Sequence, residues 1–169
     1  MDVKTVITSQ YLASLEMMKE VVTKCPDEVW RNRKPTNQFW HVVYHALFYT
    51  HLYLQPQEAD FTPWSKHRRN LNAFEPPPWA PEEEVEPGEP FSQTEILDYL
   101  ALCQQEVHAQ LSNLDLEAAS GFDWIPLNKL ELQFYNIRHL QHHVGELSQR
   151  LWAEAGIESG WVGHSPKHQ

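Results

Sequence analysis

No apolar run in the chain approaches the roughly 18 residues that a membrane-spanning helix needs. The opening stretch MDVKTVITSQYLASLEMM has no basic segment ahead of an apolar one, so a secretory leader is not expected. No basic amphipathic stretch suits a lipid surface either, and together these absences predict a soluble protein with no membrane partner. Cysteine is scarce: only Cys25 and Cys103 are present, in no metal or redox spacing. That pair points to a reducing, cytoplasmic setting, with Cys103 a small core residue and neither thiol a nucleophile. Basic charge is short as well. Thirteen Lys and Arg stand against 23 Asp and Glu, a formal net charge of −10. A chain this acidic repels phosphate backbones, which argues against nucleic-acid partners. Hairpin signals and period-two alternation are missing, and so are E-x-x-H pairs for a di-iron site, H-E-x-x-H, G-x-S-x-G and any phosphate-cradling glycine loop.

What the sequence does contain is helical periodicity over 169 residues, enough for one domain with its own core. Ile7, Tyr11, Leu15, Met18 and Val22 recur at steps of three and four, predicting a first helix over 4–24 that Pro26 ends. Thr36 or Asn37, after Pro35, suits the N-cap of a second helix running to about Leu54. Its sequence, QFWHVVYHALFYTHLYL, is apolar or aromatic nearly all round, so more than one side is buried; an oligomer interface would absorb the surplus. Residues 55–91 then hold eight of the twelve prolines and read as a long crossover, of the kind that joins bundle helices not following each other antiparallel. Its one basic cluster is HRRN at 67–70, a solvated loop or an anion contact. Ser92 with Glu95 is a capping box that opens a third helix, striped by Ile96, Leu100, Cys103, Val107, Leu111 and Leu114. Asn128 with Glu131 repeats the start signal for a fourth, which runs to about Ala155 and is closed by Gly156. The tail GWVGHSPKHQ, with His164 and His168, is expected to pack by Trp161 and then fray.

The fourth helix carries NIRHLQHHVGELSQ, three of the chain's ten histidines within five positions. Its apolar centre is marked by Ile137, Leu140, Val144, Leu147 and Leu151. At about 100° per residue, His143 falls about 80–100° from that centre, His139 about 40° further round, and His142 nearly opposite. His139 and His143 therefore form an inward i,i+4 pair. On the second helix His45 sits among Val42, Ala46, Leu47 and Phe48, where an unpaired imidazole is costly to bury. His41, a turn earlier, is the reserve. Three imidazoles from two helices make an open site for zinc, nickel or a similar divalent ion, with positions left for water. The plainer alternative is a polar helix face beside a hydrogen-bonded core histidine. Glu146 is open to four readings: a fourth ligand, a general base, an orienter of an imidazole N–H, or a surface partner of Arg150 at i+4. Asn136 points toward the His139 and His143 edge, and Tyr135 reaches toward it.

WHVVYHAL on the second helix and RHLQHHVGEL on the fourth, separated by a long crossover, resemble the DinB-like superfamily of metal-binding four-helix bundles. The matching elements are His45 with Ala46 and Leu47, then His139, His142, His143, Gly145 and Glu146. The resemblance implies an all-α four-helix bundle, up-down-down-up, usually a homodimer, binding a divalent metal through His45, His139 and His143. A glutamine commonly follows the glycine in that family, whereas this chain has Glu146, and the proline-rich insert here is longer than usual. Some relatives are thiol-S-transferases or hydrolases that use the metal to activate a thiol or water. The functions expected are thus a metal-dependent enzyme acting on a small molecule, possible thiols included, or a non-catalytic dimeric bundle that binds metal or a ligand in sensing or stress. Bis-histidine haem binding is a third reading, with no C-x-x-C-H attachment signal behind it.

Overall fold

The computed structural model describes residues 2–35, 37–76 and 87–164. Within these the chain is all-helical: α1 (Val3–Lys24), a one-turn α2 (Asp27–Trp30), α3 (Phe39–Leu54), α4 (Gln93–Asn113), α5 (Lys129–Ala155) and a 3-10 turn at Glu58–Asp60. No strand occurs among the described residues; the only bridge is an isolated one between Ala119 and Asn128.

The helix ends follow side-chain chemistry. Asp2 caps α1 by accepting from the Lys4 N–H at 3.1 Å, and the Ser92–Glu95 box forms in both directions at the start of α4. Asn128 accepts from the Glu131 N–H at 2.8 Å, and Gly156 closes α5 in the left-handed region at φ 68°. The start of α3 differs from expectation. Thr36 lies outside the described residues, and Asn37 is not the cap, because Gln38 takes that position and the Asn37 carbonyl accepts from Arg150 Nη1 at 3.0 Å. The α2 turn was not foreseen, since four residues are too few to show a period; Trp30 on it donates to the Phe91 carbonyl at 2.8 Å.

Each long helix packs against two others: α1 against α4 and α5, and α3 against the same two. Residues from all four helices share one hydrophobic core. Hydrogen bonds give the senses of these pairs. Gln93, at the start of α4, donates to the Val22 and Cys25 carbonyls at the end of α1, while Lys4 at the start of α1 reaches Ser112 at the end of α4. Gln133 and Asn136, early in α5, donate to the Tyr53 and Thr50 carbonyls late in α3. Late in α5, Arg150 reaches back to Asn37.

The apolar surplus of α3 is absorbed within the chain, with no second copy needed. Fourteen of its 16 residues are buried. The connection after it supplies the cover: Trp64 meets Tyr44 at 6.4 Å, Phe61 meets Phe48 at 5.3 Å, and Phe91 meets Tyr44 at 5.4 Å. Of the basic cluster, Arg68 turns inward, its guanidinium 4.0 Å from the Phe91 ring and bonded to the Pro87 and Glu89 carbonyls, so it is a tie across the connection. Trp161 does not pack as expected. It is 79% exposed, and the tail is held instead by half-buried Ile157 and Val162 and by Lys24 on the Glu158 carbonyl. His168 lies outside the described residues.

Candidate metal centre

His45 sits at the middle of α3, and His139 and His143 lie one turn apart on the face of α5 that meets it. Their rings form a nearly equilateral triangle, with centroid separations of 5.0, 4.8 and 4.7 Å. All three turn Nε2 inward: His139 Nε2 lies 3.1 Å from that of His45 and 3.2 Å from that of His143.

The outer nitrogens explain this orientation. His45 Nδ1 lies 2.7 Å from the Asn72 carbonyl oxygen, which only accepts, so the ring's proton is on Nδ1 and its Nε2 presents a lone pair. His143 Nδ1 lies 3.0 Å from Glu146 Oε2, with the same consequence. His139 has no such partner, and its Nδ1 is buried with none. A proton on Nδ1 would be an unpaired buried donor, while three lone pairs crowded one point. A proton on Nε2 could reach one neighbouring lone pair and would leave the other opposed. Neither tautomer satisfies the cluster. A cation at the meeting point accepts all three Nε2 lone pairs, since zinc–nitrogen bonds of ~2.0–2.1 Å at tetrahedral angles place nitrogens about 3.3 Å apart, and it leaves only the His139 Nδ1–H of the cluster without a partner. The donor set thus fits a divalent ion.

Burial keeps the imidazoles neutral, as ligands must be. Desolvation, reinforced by neighbouring His143, pushes His45 down to about 3, and the same two causes push His139 down to about 4. His143 is lowered by burial, against the opposing pull of Glu146.

Around the triangle, Phe74 stacks on His45 at 4.2 Å, and Tyr49 turns its edge to His45 and His139 at 4.9 and 5.6 Å. Beside His45 and His139 opens a cavity of about 690 Å³ walled mainly by aromatic rings. Tyr135 lines it with His139.

The other histidines fall elsewhere. His41 is buried with Nε2 donating to the Leu71 carbonyl at 2.7 Å, so it stays out of the cluster. His142 is exposed and forms only an outer grouping with His143 and Glu146. Asn136 is buried but serves the Thr50 carbonyl, and Arg138 is exposed over the Tyr135 ring. Glu146 is on His143, while Arg150 pairs with Glu154 instead.

Sequence reasoning missed Asn72 and Phe74. Both come from the connection after α3, where no period locates a side chain and where a carbonyl's direction has no signature in residue type.

In a comparison of the whole chain, the family model of the DinB superfamily matches residues 10–147. The chain belongs to the DinB superfamily. The match runs from within α1 to Leu147 and so includes all three histidines of the cluster and Glu146. Neither the curated proteins nor the solved structures gave a match. For this DinB-superfamily chain, then, the site rests on family membership and on the cluster itself.

Proposed function

We propose that the protein holds a divalent metal ion, zinc or nickel, on the Nε2 atoms of His45, His139 and His143, and uses it in hydrolysis or thiol transfer on a small molecule. The observation that carries this reading is the convergence of three Nε2 atoms, with His139 Nε2 at 3.1 and 3.2 Å from those of two rings whose protons are held on Nδ1. Imidazole donors suit zinc and nickel. A bound divalent ion supplies Lewis acidity, which lowers the pKa of a water molecule or thiol and polarises the bond under attack.

The chain's own groups hold the site in register. The Asn72 carbonyl and the Glu146 carboxylate fix the tautomers of His45 and His143, and Phe74 and Tyr49 restrict the rings and exclude water from one side. Of the roles open to Glu146, orienting His143 is the one its contact supports, which makes it a positioning residue. The cavity beside His45 and His139 gives a substrate a place next to the ion.

The helix pairings support an up-down-down-up bundle in which residues 55–91 cross between α3 and α4. The single domain, the cytoplasmic setting and the homodimer are part of the same proposal. No helix among the described residues is long and apolar enough to cross a membrane. Exposed Phe134 and Trp152 on α5 favour a second copy, which light scattering would measure.

Metal analysis of untagged protein, alongside His139→Ala, tests the centre: about one ion per chain in the first and none in the second is expected. A substrate panel of esters, amides and thiol acceptors tests the reaction. Turnover should require metal and be lost in His45→Ala; metal retained without turnover would favour a non-catalytic binding role.

A further inference from the structure

We propose that the aromatic cavity beside the three histidines binds a small molecule with an apolar body and a cationic amine, the amine lying between the tyrosine and tryptophan rings and Glu58. The inference rests on the proposed metal centre for the reaction, while the binding preference follows from the cavity alone.

Six rings make most of its wall: Phe48, Tyr49, Tyr53, Phe61, Trp124 and Tyr135. They are set at angles to one another, with Tyr49 and Tyr53 tilted at 5.5 Å, Tyr53 and Tyr135 edge-on at 6.0 Å, and Phe48 and Phe61 edge-on at 5.3 Å. Such a wall offers several π faces in different directions, and a π face attracts cations.

The charges agree. Among the described residues, apart from His45 and His139 and the tyrosine hydroxyls, the ionisable residue lining the cavity is Glu58, and no Lys or Arg lines it. The nearby cations are engaged elsewhere, Lys129 on the Gln55 carbonyl and Arg138 over the Tyr135 ring from the neighbouring groove. With the ion removed, an anionic ligand would find no counter-charge on these walls, whereas an amine finds a carboxylate and ring faces. The formal charge of −10 draws cations toward the protein as well.

Glu58 is held in position. Its N–H donates to the Gly121 carbonyl at 3.1 Å, joining the 3-10 turn to the loop that carries Trp124. Gly121 has φ 80°, and a Cβ there would run into the Pro56 carbonyl and lie 2.8 Å from Gln57 Cα. Only glycine lets the two segments approach this closely. Glu58 and Trp124 therefore line the same cavity, their segments joined by a contact that the backbone enforces.

Three probes with one body and different heads test the proposal: phenethylamine, 2-phenylethanol and phenylacetate, titrated by NMR into the full chain after chelation. Phenethylamine should bind about tenfold more tightly than the alcohol, with phenylacetate weakest. Glu58→Gln should bring the amine-to-alcohol ratio close to one while leaving the alcohol unchanged, and Trp124→Leu, at a half-exposed position, should weaken the amine most. The proposal is overturned if phenylacetate equals the amine, if the ratio survives Glu58→Gln, or if the amine fails to bind in the millimolar range. His139→Ala separates the two readings. Loss of metal with the amine preference intact supports both, an unchanged metal content with the preference intact removes only the metal centre, and normal metal loading of the parent without amine preference removes only the pocket proposal.

Discussion

Two sets of histidines line α3 and the elements packed on it, and both are shielded from water. In the first set, His41 bonds to the Leu71 carbonyl at 2.7 Å, His67 to the Tyr44 hydroxyl at 2.6 Å, and His51 faces the Tyr99 hydroxyl at 3.4 Å. In the second set, His45, His139 and His143 turn their inner nitrogens on one another. Burial lowers the pKa of all six, so depressed basicity does not separate them. Partner chemistry does. The first set meets oxygen atoms able to complete a hydrogen bond, while in the second His139 Nε2 meets two nitrogens whose rings already hold their protons on the other side. Buried histidine is thus common to the core and to the three-histidine cluster, while mutual opposition of lone pairs belongs to the cluster.

The largest test of that contrast is removal of one member. His139→Ala should weaken metal affinity by more than the roughly 100-fold that loss of an outer-shell partner reaches, measured by competition with a chelating dye. His41→Ala should leave the affinity unchanged.

Acid should act next. His45 at about 3 and His139 at about 4 lie below the ordinary 6.5, so between those limits the unfolded chain binds protons that the folded chain does not. The stability they contribute is full above about 6.5 and falls as pH drops toward 4. Protons compete with the ion over the same range. Melting curves of apo and zinc-loaded protein should converge as pH falls below 6.5, and a zinc increment that persists to pH 4 would contradict the assignment.

Glu146→Ala, which frees His143 Nδ1, should cost about 10- to 100-fold in metal affinity. Glu146→Gln should cost less, because an amide oxygen still accepts from Nδ1–H. The core set answers on a different scale: His41→Ala leaves the Leu71 carbonyl without its donor, and should lower unfolding stability by about 1–3 kcal/mol with metal uptake intact. Smallest is Ser92→Ala, which removes one cap of α4 whose hydroxyl, among the described residues, bonds only with Glu95, and should cost about 1 kcal/mol in a denaturant titration, with no change in zinc binding.

Much of this contrast was open to reading from spacing. His139 and His143 are i,i+4 on the edge of an apolar stripe, and His142 is rotated away, as α5 bears out. His45 was separable from His41 only weakly, since both lie on the same side of α3 one turn apart and both are shielded. The decision came from the connection after α3. Leu71 and Asn72 are adjacent, and their carbonyls meet His41 and His45 in turn, one at Nε2 and the other at Nδ1. That choice of nitrogen leaves His41 without an Nε2 for the centre and gives His45 one. The same connection covers the apolar surplus of α3 with Trp64 on Tyr44, Phe74 on His41 and Phe91 on Tyr44, where the composition of the helix suggested an oligomer.

Amino-acid order alone determined where the four long helices run, which caps open α4 and α5, and which face of α5 carries its paired imidazoles, because these depend on contacts within a few residues and on a fixed 3.6-residue turn. Tertiary structure decided which ring nitrogens are free, whether α3 needs a partner, and that Glu58 shares a cavity with Trp124. Each of these depends on carbonyls and rings brought together across many residues of irregular chain, whose path follows from packing and leaves no periodic trace in the sequence.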